Sequence, residues 1–219
     1  MYARDVDGRT LTLAVSGMLW ERSLVMIDSE TETLWSQLLG EAMQGPLQGE
    51  HLEPLPAFMT DWQTWKTRYP ATTAVILSRT AERFRRELYR DLDRYVIGLT
   101  IGKEARAWRF DSLAADSVVN DRLGKRPVLV VFDPATVTAA VFDRTIAGRR
   151  LTFTNRDGKL IDRETGSTWD RITGRRLNGI ANLNGETKPD RADRLTRLPA
   201  SVSFVHSWRR FHPETTFWQ

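Results

Sequence analysis

The chain has 219 residues, of which 41% are hydrophobic and 27% are charged, and it contains no cysteine. This composition is ordinary for a globular protein and argues against intrinsic disorder. The lack of cysteine excludes disulfides, zinc–cysteine sites and catalysis by a thiol of this chain. No apolar run approaches the roughly 18 residues of a membrane-spanning helix. No signal peptide is visible at the N-terminus, so the chain as written is predicted to be cytoplasmic.

Strand patterns dominate the beginning of the chain. Asp7-Gly8 predicts a turn, because glycine tolerates a positive φ. The alternation of apolar and polar residues from Arg9 to Val15 predicts a strand that follows this turn. Leu24 to Ile27 and Leu34 to Leu38 flank a polar segment, and this arrangement predicts a hairpin.

A short helix is predicted after these strands, and a second helix is predicted at 79–95. The first has Thr60 as its N-cap and ends at Pro70. Its apolar stripe consists of Trp62, Trp65 and Tyr69. In the second, apolar residues follow a helical spacing, and pairs of opposite charge lie four residues apart.

The rest of the chain repeats the strand-rich pattern. Val128 to Phe132 is a continuous apolar run with β-branched residues, which predicts a strand buried on both faces. A closing helix is predicted near the C-terminus, where Ser203, Trp208, His212 and Pro213 take the places of Thr60, Trp65, Tyr69 and Pro70.

These correspondences belong to a repeat that extends through much of the chain. The matching segments keep their order: Arg4 to Leu13 with Arg144 to Phe153, Ile27 to Trp35 with Ile161 to Trp169, and Trp65 to Thr73 with Trp208 to Thr216. The second copy has an additional opening stretch without a counterpart in the first. We therefore expect a truncated first repeat at 1–78, a helical connector at 79–95 and a complete second repeat at 96–219. The predicted fold class is α+β and β-rich, with two related lobes that each contain strands, a hairpin and a short closing helix.

Charge is distributed unevenly between the two parts of the chain. Residues 1–78 contain five basic and ten acidic side chains, whereas residues 79–219 contain 27 and 18. One interpretation is that the basic second half binds an anionic ligand, either nucleic acid or lipid head groups. The other is that the two halves attract each other and that the remaining charge is solvated. The second is favoured, because acidic residues are interleaved throughout the basic half.

Several segments together resemble an uncharacterised prokaryotic family, the domain-of-unknown-function family 3179 (DUF3179). Those of the first copy are Asp7-Gly8-Arg9-Thr10-Leu11-Thr12, Val15-Ser16-Gly17, Leu24-Val25-Met26-Ile27-Asp28 and Leu34-Trp35-Ser36-Gln37. Those of the second include Phe132-Asp133-Pro134-Ala135-Thr136, Phe142-Asp143-Arg144, Asp162 to Trp169 and Phe211-His212-Pro213. The resemblance covers nearly the whole chain.

The resemblance also indicates what this chain lacks. It implies a first copy that opens with a strand leading into a Cys-Pro-Leu-Cys motif, a position that would precede Met1 here. The second copy has Asp133-Pro134-Ala135-Thr136 at the corresponding place. Family members often carry export signals, so the resemblance implies an exported protein if the native N-terminus is longer. The family carries no established activity, so it supplies no catalytic residue.

Two pairs of carboxylates recur at equivalent positions and are candidate binding residues: Asp28 with Glu30, and Asp162 with Glu164. Paired carboxylates can bind a divalent cation or act as acid and base. The favoured interpretation is structural: Asp28 and Asp162 open tight hairpins, and their side chains accept backbone N–H bonds.

Histidines and tryptophans supply the other candidates. His206 and His212 could contribute to a metal site only if they converge with carboxylates, and His212 has a tyrosine at its counterpart, which argues against a ligand role shared by both copies. Four of the eight tryptophans, Trp35, Trp65, Trp169 and Trp208, match apolar repeat positions and are predicted to be core anchors. Trp20 and Trp218 have no counterpart and are the better surface candidates.

The leading hypothesis is a non-enzymatic structural or ligand-binding module. No catalytic residue, metal ligand set or cofactor is predicted, because no nucleotide-binding loop, nucleophile elbow or zinc motif is present. The first alternative is a metal-dependent hydrolase with these carboxylates and histidines in a cleft between the lobes. The second alternative is anion or nucleic-acid binding by the basic half. The sequence does not determine the oligomeric state.

Overall fold

The computed structural model describes residues 1–74, 91–178 and 193–219, and these residues form a β-rich protein with few helices. The predicted predominance of strands is therefore confirmed. The helices in the described ranges are short: α1 (Trp62–Arg68), α2 (Phe110–Ala115) and α3 (Val205–Phe211).

The first copy begins with a small hairpin, followed by a four-stranded antiparallel sheet. The hairpin consists of β1 (Asp5–Val6) and β2 (Arg9–Thr10), and Asp7 and Gly8 form its turn with φ angles of 49° and 73°. The sheet has the order β3 (Leu13–Trp20), β4 (Ser23–Asp28), β5 (Leu34–Ser36) and β6 (Ala42–Gln44). The predicted turn and hairpin are both present.

The same succession of strands occurs in the second copy. Its small hairpin consists of β12 (Thr145–Ile146) and β13 (Arg149–Arg150), and its turn residues Ala147 and Gly148 have φ angles of 47° and 75°. The following antiparallel sheet contains β14 (Phe153–Arg156), β15 (Lys159–Asp162) and β16 (Thr168–Trp169). The hairpin is shorter here: β14 and β15 have four residues each, whereas β3 has eight and β4 has six.

The additional stretch of the second copy supplies the centre of the molecule. It contains β7 (Tyr95–Ile101), β8 (Glu104–Arg109), β9 (Val118–Leu123), β10 (Arg126–Asp133) and β11 (Thr138–Asp143), with α2 between β8 and β9. Strand β10 lies between β9 and β11, while β7 and β8 lie between β17 (Ser201–Phe204) and β18 (Thr216–Phe217).

Strand β10 divides the core into two layers, because successive side chains of a strand point to opposite faces. Val128, Val130 and Phe132 pack with Trp108, Phe110 and Leu113 of the additional stretch. Leu129 and Val131 pack in a second cluster with Phe153, Leu160 and Trp169 of the sheet β14–β15–β16. We call this sheet and the β3–β4–β5–β6 sheet of the first copy the hairpin sheets. The run from Val128 to Phe132 is buried throughout, as the sequence predicts.

Each closing helix contacts the other copy. In α1, Arg68 forms an ion pair with Asp170. In α3, Arg210 pairs with Glu21 at 3.2 Å, and the ring of Phe211 meets that of Trp20 edge to face at 4.7 Å. The longer β3–β4 hairpin therefore reaches the second copy at its tip.

Two predicted strands differ from their expected bounds. The predicted strand from Arg9 to Val15 is interrupted at Leu11 and Thr12, since Leu11 is fully buried and the Thr12 N–H binds the Glu30 carboxylate at 2.7 Å. The strand predicted from Leu34 to Leu38 ends at Ser36, where a turn begins with a bond from Gly40 N to Ser36 O.

The start of each closing helix also differs from the prediction. The N-cap of α1 is Asp61 rather than Thr60: the Asp61 carboxylate accepts the Thr64 N–H at 2.7 Å, whereas the Thr60 hydroxyl bonds to Thr138. The predicted N-cap Ser203 lies in β17, and α3 starts after Phe204 without a side-chain cap. Of the helix predicted at 79–95, residues 79–90 lie outside the described residues, and residues 92–94 form a single 3₁₀ turn.

Candidate functional site

The Asp28 carboxylate organises the turn between β4 and β5. It is fully buried, and it accepts bonds from the Thr31 N–H at 2.6 Å, the Thr31 hydroxyl at 2.8 Å and the Trp35 indole N–H at 2.9 Å. Burial opposes ionisation, but the hydrogen bonds from Trp35 and Thr31 outweigh it, so the pKa of Asp28 lies below its usual value. The carboxylate thus holds a buried indole and a tight turn together.

The second copy has the same arrangement around Asp162. This buried carboxylate accepts the Thr165 N–H at 2.6 Å, the Thr165 hydroxyl at 2.7 Å and the Trp169 indole N–H at 2.8 Å. Its pKa is also lowered, since the bonds from Trp169 and Thr165 outweigh the effect of burial. The structural interpretation of these two turns therefore agrees with their geometry.

The glutamates of the two carboxylate pairs, Glu30 and Glu164, have a role that differs from that of the aspartates. Glu30 accepts the backbone N–H of Thr12 at 2.7 Å, and Glu164 accepts that of Thr152 at 2.8 Å. Each bond ties the turn to the residue that precedes the first strand of its sheet. The bond from Thr12 lowers the pKa of Glu30, and the bond from Thr152 lowers that of Glu164 against the effect of burial.

The structure does not bring the carboxylates and histidines into a recognisable metal site. Across residues 1–74, 91–178 and 193–219, no three His, Asp or Glu side chains form a group that could hold a metal ion. His206 is exposed and stacks on Phe204, with ring centroids 5.5 Å apart. His212 packs against Trp208 at 4.1 Å, and burial lowers its pKa.

The two candidate surface tryptophans differ in their surroundings. Trp20 is 39% exposed at the tip of the β3–β4 hairpin, where it contacts Phe211. Trp218 is partly buried against the core cluster of β10, and its backbone N–H donates to the carbonyl of Ala107 at 3.0 Å. Trp20 is therefore the more accessible of the two rings.

A cleft in the second copy collects basic side chains that are distant in sequence. Arg122 and Lys125 come from β9 and the β9–β10 turn, and Arg144 and Arg150 come from the segment around β12 and β13. With Asn120, Asp121, Gly124 and Pro127 they line a volume of about 420 Å³. We call this the basic cleft. Arg122, Lys125 and Arg150 are exposed, whereas Arg144 is partly buried.

Arg144 and Asp121 form the base of the basic cleft. Arg144 donates to the carbonyl of Leu151 at 2.9 Å and to that of Asp121 at 3.4 Å. Burial and the nearby charge of Arg150 lower its pKa. The Asp121 carboxylate is already engaged by Arg106 at 2.6 Å and by the indole of Trp108 at 2.9 Å. Positive charge therefore exceeds negative charge in the cleft.

No motif or spacing in the sequence indicated this cleft. The only signal was the excess of basic residues after residue 79, together with pairs such as Arg149-Arg150, which are too dispersed to indicate a site. Arg122 and Arg150 line the same cleft because of strand pairing. No sequence-spacing rule relates their positions.

The fold is that of a β-rich protein, and its basic cleft is lined by four basic side chains and one acidic side chain. The chain matches the family described as "Protein of unknown function (DUF3179)" over residues 1–93 and again over residues 85–215, and it belongs to this family. No curated protein and no solved structure matches it significantly. Among the described residues, none of the helices has the length and apolar character needed to cross a membrane.

Proposed function

We propose that this protein is a non-enzymatic ligand-binding module and that an anionic ligand binds in the basic cleft. The observation that carries the proposal is the convergence of Arg122, Lys125, Arg144 and Arg150 on one open volume. Asp121, the carboxylate among the lining residues, is already paired with Arg106. An anion placed among these side chains would relieve the repulsion between Arg144 and Arg150.

The proposed architecture has two related lobes from an internal duplication, at 1–78 and 96–219, with a connector at 79–95. Two family matches in succession support it. Repeated hydrogen bonds support it as well: the Trp65 indole donates to the Thr72 hydroxyl at 3.1 Å, and the Trp208 indole donates to the Thr215 hydroxyl at 2.9 Å. Residues 120–127 of the basic cleft lie in the stretch that the first lobe lacks, whereas Arg144 and Arg150 lie in a segment that both lobes share.

The non-enzymatic part of the proposal is supported by the recurring carboxylates. Asp28 and Asp162 accept hydrogen bonds within their own turns, and Glu30 and Glu164 accept the backbone N–H groups of the residues that precede β3 and β14. A general base must reach the substrate's proton, and the buried aspartates are committed to an indole and a threonine. Their recurrence is explained by a shared turn.

The test is retention on immobilised heparin as a function of salt. In the variant R122Q/K125Q/R150Q, exposed charges are removed while Arg144, which supports the backbone, is retained. We expect earlier elution. The slope of the logarithm of the binding constant against the logarithm of the salt concentration should decrease in magnitude by roughly one for each lost contact.

The matched control is R9Q/R156Q/R163Q, which removes the same charge from exposed arginines outside the cleft. It should elute close to the wild type. Equal losses in both triple variants would show that retention follows net charge, and the assignment to the cleft would be abandoned.

A further inference from the structure

The lining of the basic cleft restricts the chemical class of its ligand, and this restriction rests on the proposed function. Of the eight described residues that line the cleft, four are basic, none is aromatic, and Pro127 is the only one with an apolar side chain. Sites for a nucleobase or an acyl chain offer aromatic or apolar surface. A ligand that matches this lining is therefore hydrophilic throughout.

Strand pairing places basic side chains on both sides of Pro127. Pro127 lies in β10, opposite Arg122 of β9. On its other side, the backbone N–H of Arg144 donates to the Pro127 carbonyl at 3.2 Å. Neighbouring strands are about 4.8 Å apart, so about 10 Å separates the backbones of Arg122 and Arg144. The short proline ring leaves a trough between the two longer side chains.

The remaining two cations extend the two sides of this trough. Lys125 lies in the turn that follows Arg122. Arg150 is held next to Arg144, because Nη1 of Arg144 donates to the carbonyl of the following residue, Leu151, at 2.9 Å. We call Arg122 and Lys125 the β9 pair, and Arg144 and Arg150 the β13 pair.

The donors of both pairs are free to meet a ligand. Arg122, Lys125 and Arg150 are exposed, and no hydrogen bond or ion pair with another described residue engages their side chains. Nη2 of Arg144 has no hydrogen-bond partner in the described part of the chain and is not shielded from solvent. Each pair therefore presents guanidinium or ammonium donors to the open volume.

The charge of the cleft calls for more than one anionic group. Asp121 does not offset the four cations, because its carboxylate is bound by Arg106 at 2.6 Å and by the indole of Trp108 at 2.9 Å. A phosphoryl group on an organic molecule carries a charge of about −1.5 to −2 at neutral pH. Two such groups balance four cations, whereas one leaves about half of the positive charge uncompensated.

We propose that the basic cleft binds a small hydrophilic molecule with two phosphoryl groups, of the sugar bisphosphate class. One phosphoryl group accepts charge-assisted hydrogen bonds from the β9 pair, and the other accepts them from the β13 pair. The hydroxylated body between them lies over Pro127. The cleft volume of about 420 Å³ admits a molecule of this size.

The test is calorimetric titration of the full chain at fixed ionic strength with fructose 1,6-bisphosphate, glucose 6-phosphate and AMP. We expect the bisphosphate to bind with one-to-one stoichiometry and at least about tenfold more tightly than glucose 6-phosphate, because only the bisphosphate engages both pairs. AMP should bind no more tightly than glucose 6-phosphate, since no ring stacks on its base. Equal affinity for the bisphosphate and the monophosphate would overturn the proposal, as would tighter binding of AMP than of the bisphosphate.

Variants test the two pairs separately. R122Q/K125Q removes the β9 pair, so its affinity for the bisphosphate should fall at least about tenfold, towards that of the wild type for glucose 6-phosphate. R156Q/R163Q removes the same charge from exposed arginines outside the cleft and should bind as the wild type does.

The β13 pair has an adjacent control. R150Q should weaken binding of the bisphosphate, whereas R149Q should leave it close to that of the wild type, because Arg149 is exposed but does not line the cleft. Equal effects of R149Q and R150Q would show that binding follows net charge, and the assignment of a phosphoryl group to this pair would be wrong.

The heparin experiment separates the ligand class from the binding role of the cleft. If the bisphosphate binds no more tightly than the monophosphate while R122Q/K125Q/R150Q still loses retention on heparin, the cleft binds polyanions by charge and the bisphosphate class is wrong. If retention does not depend on the cleft either, the proposed function fails as well.

A bisphosphate can be free or can be the head group of a lipid. Sedimentation with phosphatidylcholine vesicles that contain phosphatidylinositol 4,5-bisphosphate distinguishes these sources. Cleft-dependent binding to the vesicles, reversed by fructose 1,6-bisphosphate, would identify a lipid as a source of the same chemistry. Binding to the free bisphosphate alone would identify a soluble ligand. Tighter cleft-dependent binding of duplex DNA than of either would overturn the proposal.

Discussion

At the scale of single residues, the buried aspartates are the most informative feature. Asp28 and Asp162 each accept the indole N–H of a tryptophan seven residues later in the chain. The negative charge is tolerated in the core because several donors converge on it. This use of a carboxylate explains why Asp and Trp recur together in both copies.

D162N tests this role. The amide keeps the size of the side chain but loses the charge, and its NH₂ group cannot accept the bonds that now reach Oδ1 and Oδ2 from Thr165 and Trp169. We expect a loss of about 1–3 kcal/mol in the free energy of unfolding, measured by urea denaturation. D157N, at an exposed hairpin turn, is the control and should change stability by less than about 0.5 kcal/mol. A similarly small effect of D162N would contradict the role.

The same aspartates predict a dependence on pH. Because the pKa of each is lowered in the folded state, their stabilisation is complete above the unfolded value of about 3.9 and is lost as the pH falls from there through the folded value. The double variant D28N/D162N should therefore show a flatter decline of stability in this acidic range than the wild type does.

At the scale of elements, α1 shows how a short helix is positioned. It has seven residues and no fully buried side chain, so local interactions contribute much of its stability. Asp61 caps its first turn, while Thr60, the residue that the pattern favours as the cap, bonds to Thr138 in the other copy. A tertiary contact has moved the cap by one residue.

D61A should destabilise α1 by about 1 kcal/mol, because it removes the acceptor for the Thr64 N–H. D61N retains an N-cap side chain and should lose much less. Thermal unfolding followed by circular dichroism would measure both changes. If D61A and D61N behave alike, the charge and not the cap is the relevant interaction.

At the scale of the whole molecule, the two hairpin sheets differ in what covers them. In the second copy, the Asn120 side chain bonds to the backbone N–H and C=O of Phe153, and Asn155 bonds to Ser117. Val15 takes the place of Asn155 in the first copy, where strand β3 lies at the edge of its sheet. Val15 and Leu19 are each 70% exposed. The first copy therefore presents an apolar surface at a sheet edge.

V15T/L19T should reduce association of the protein at high concentration, because an apolar edge strand promotes contacts between chains. Sedimentation velocity would measure the association, and the unfolding temperature should stay within a few degrees of the wild-type value. V25T, which places a hydroxyl at a buried position of β4, is the contrasting variant and should destabilise the protein. Unchanged association in V15T/L19T would show that this edge does not mediate contacts.

Several local features could be predicted from the sequence alone. The turn at Asp7-Gly8, the hairpin that follows Leu24, the doubly buried strand of Val128 to Phe132 and the aspartate turns all follow from residues close together in the chain. Their physical causes are local: the φ preference of glycine, side-chain alternation and short-range hydrogen bonds. The absence of thiol chemistry and the membership of an uncharacterised family also follow from the sequence.

Only the tertiary structure decided where charges meet. Arg122 and Arg150 line one cleft because β9 pairs with β10 and the chain then turns back through β12 and β13. Arg68 of α1 likewise pairs with Asp170, which lies far along the chain in the second copy. Electrostatic and packing interactions depend on the distance between side chains in space. Separation along the chain does not determine that distance once strands pair with partners that are far away in sequence.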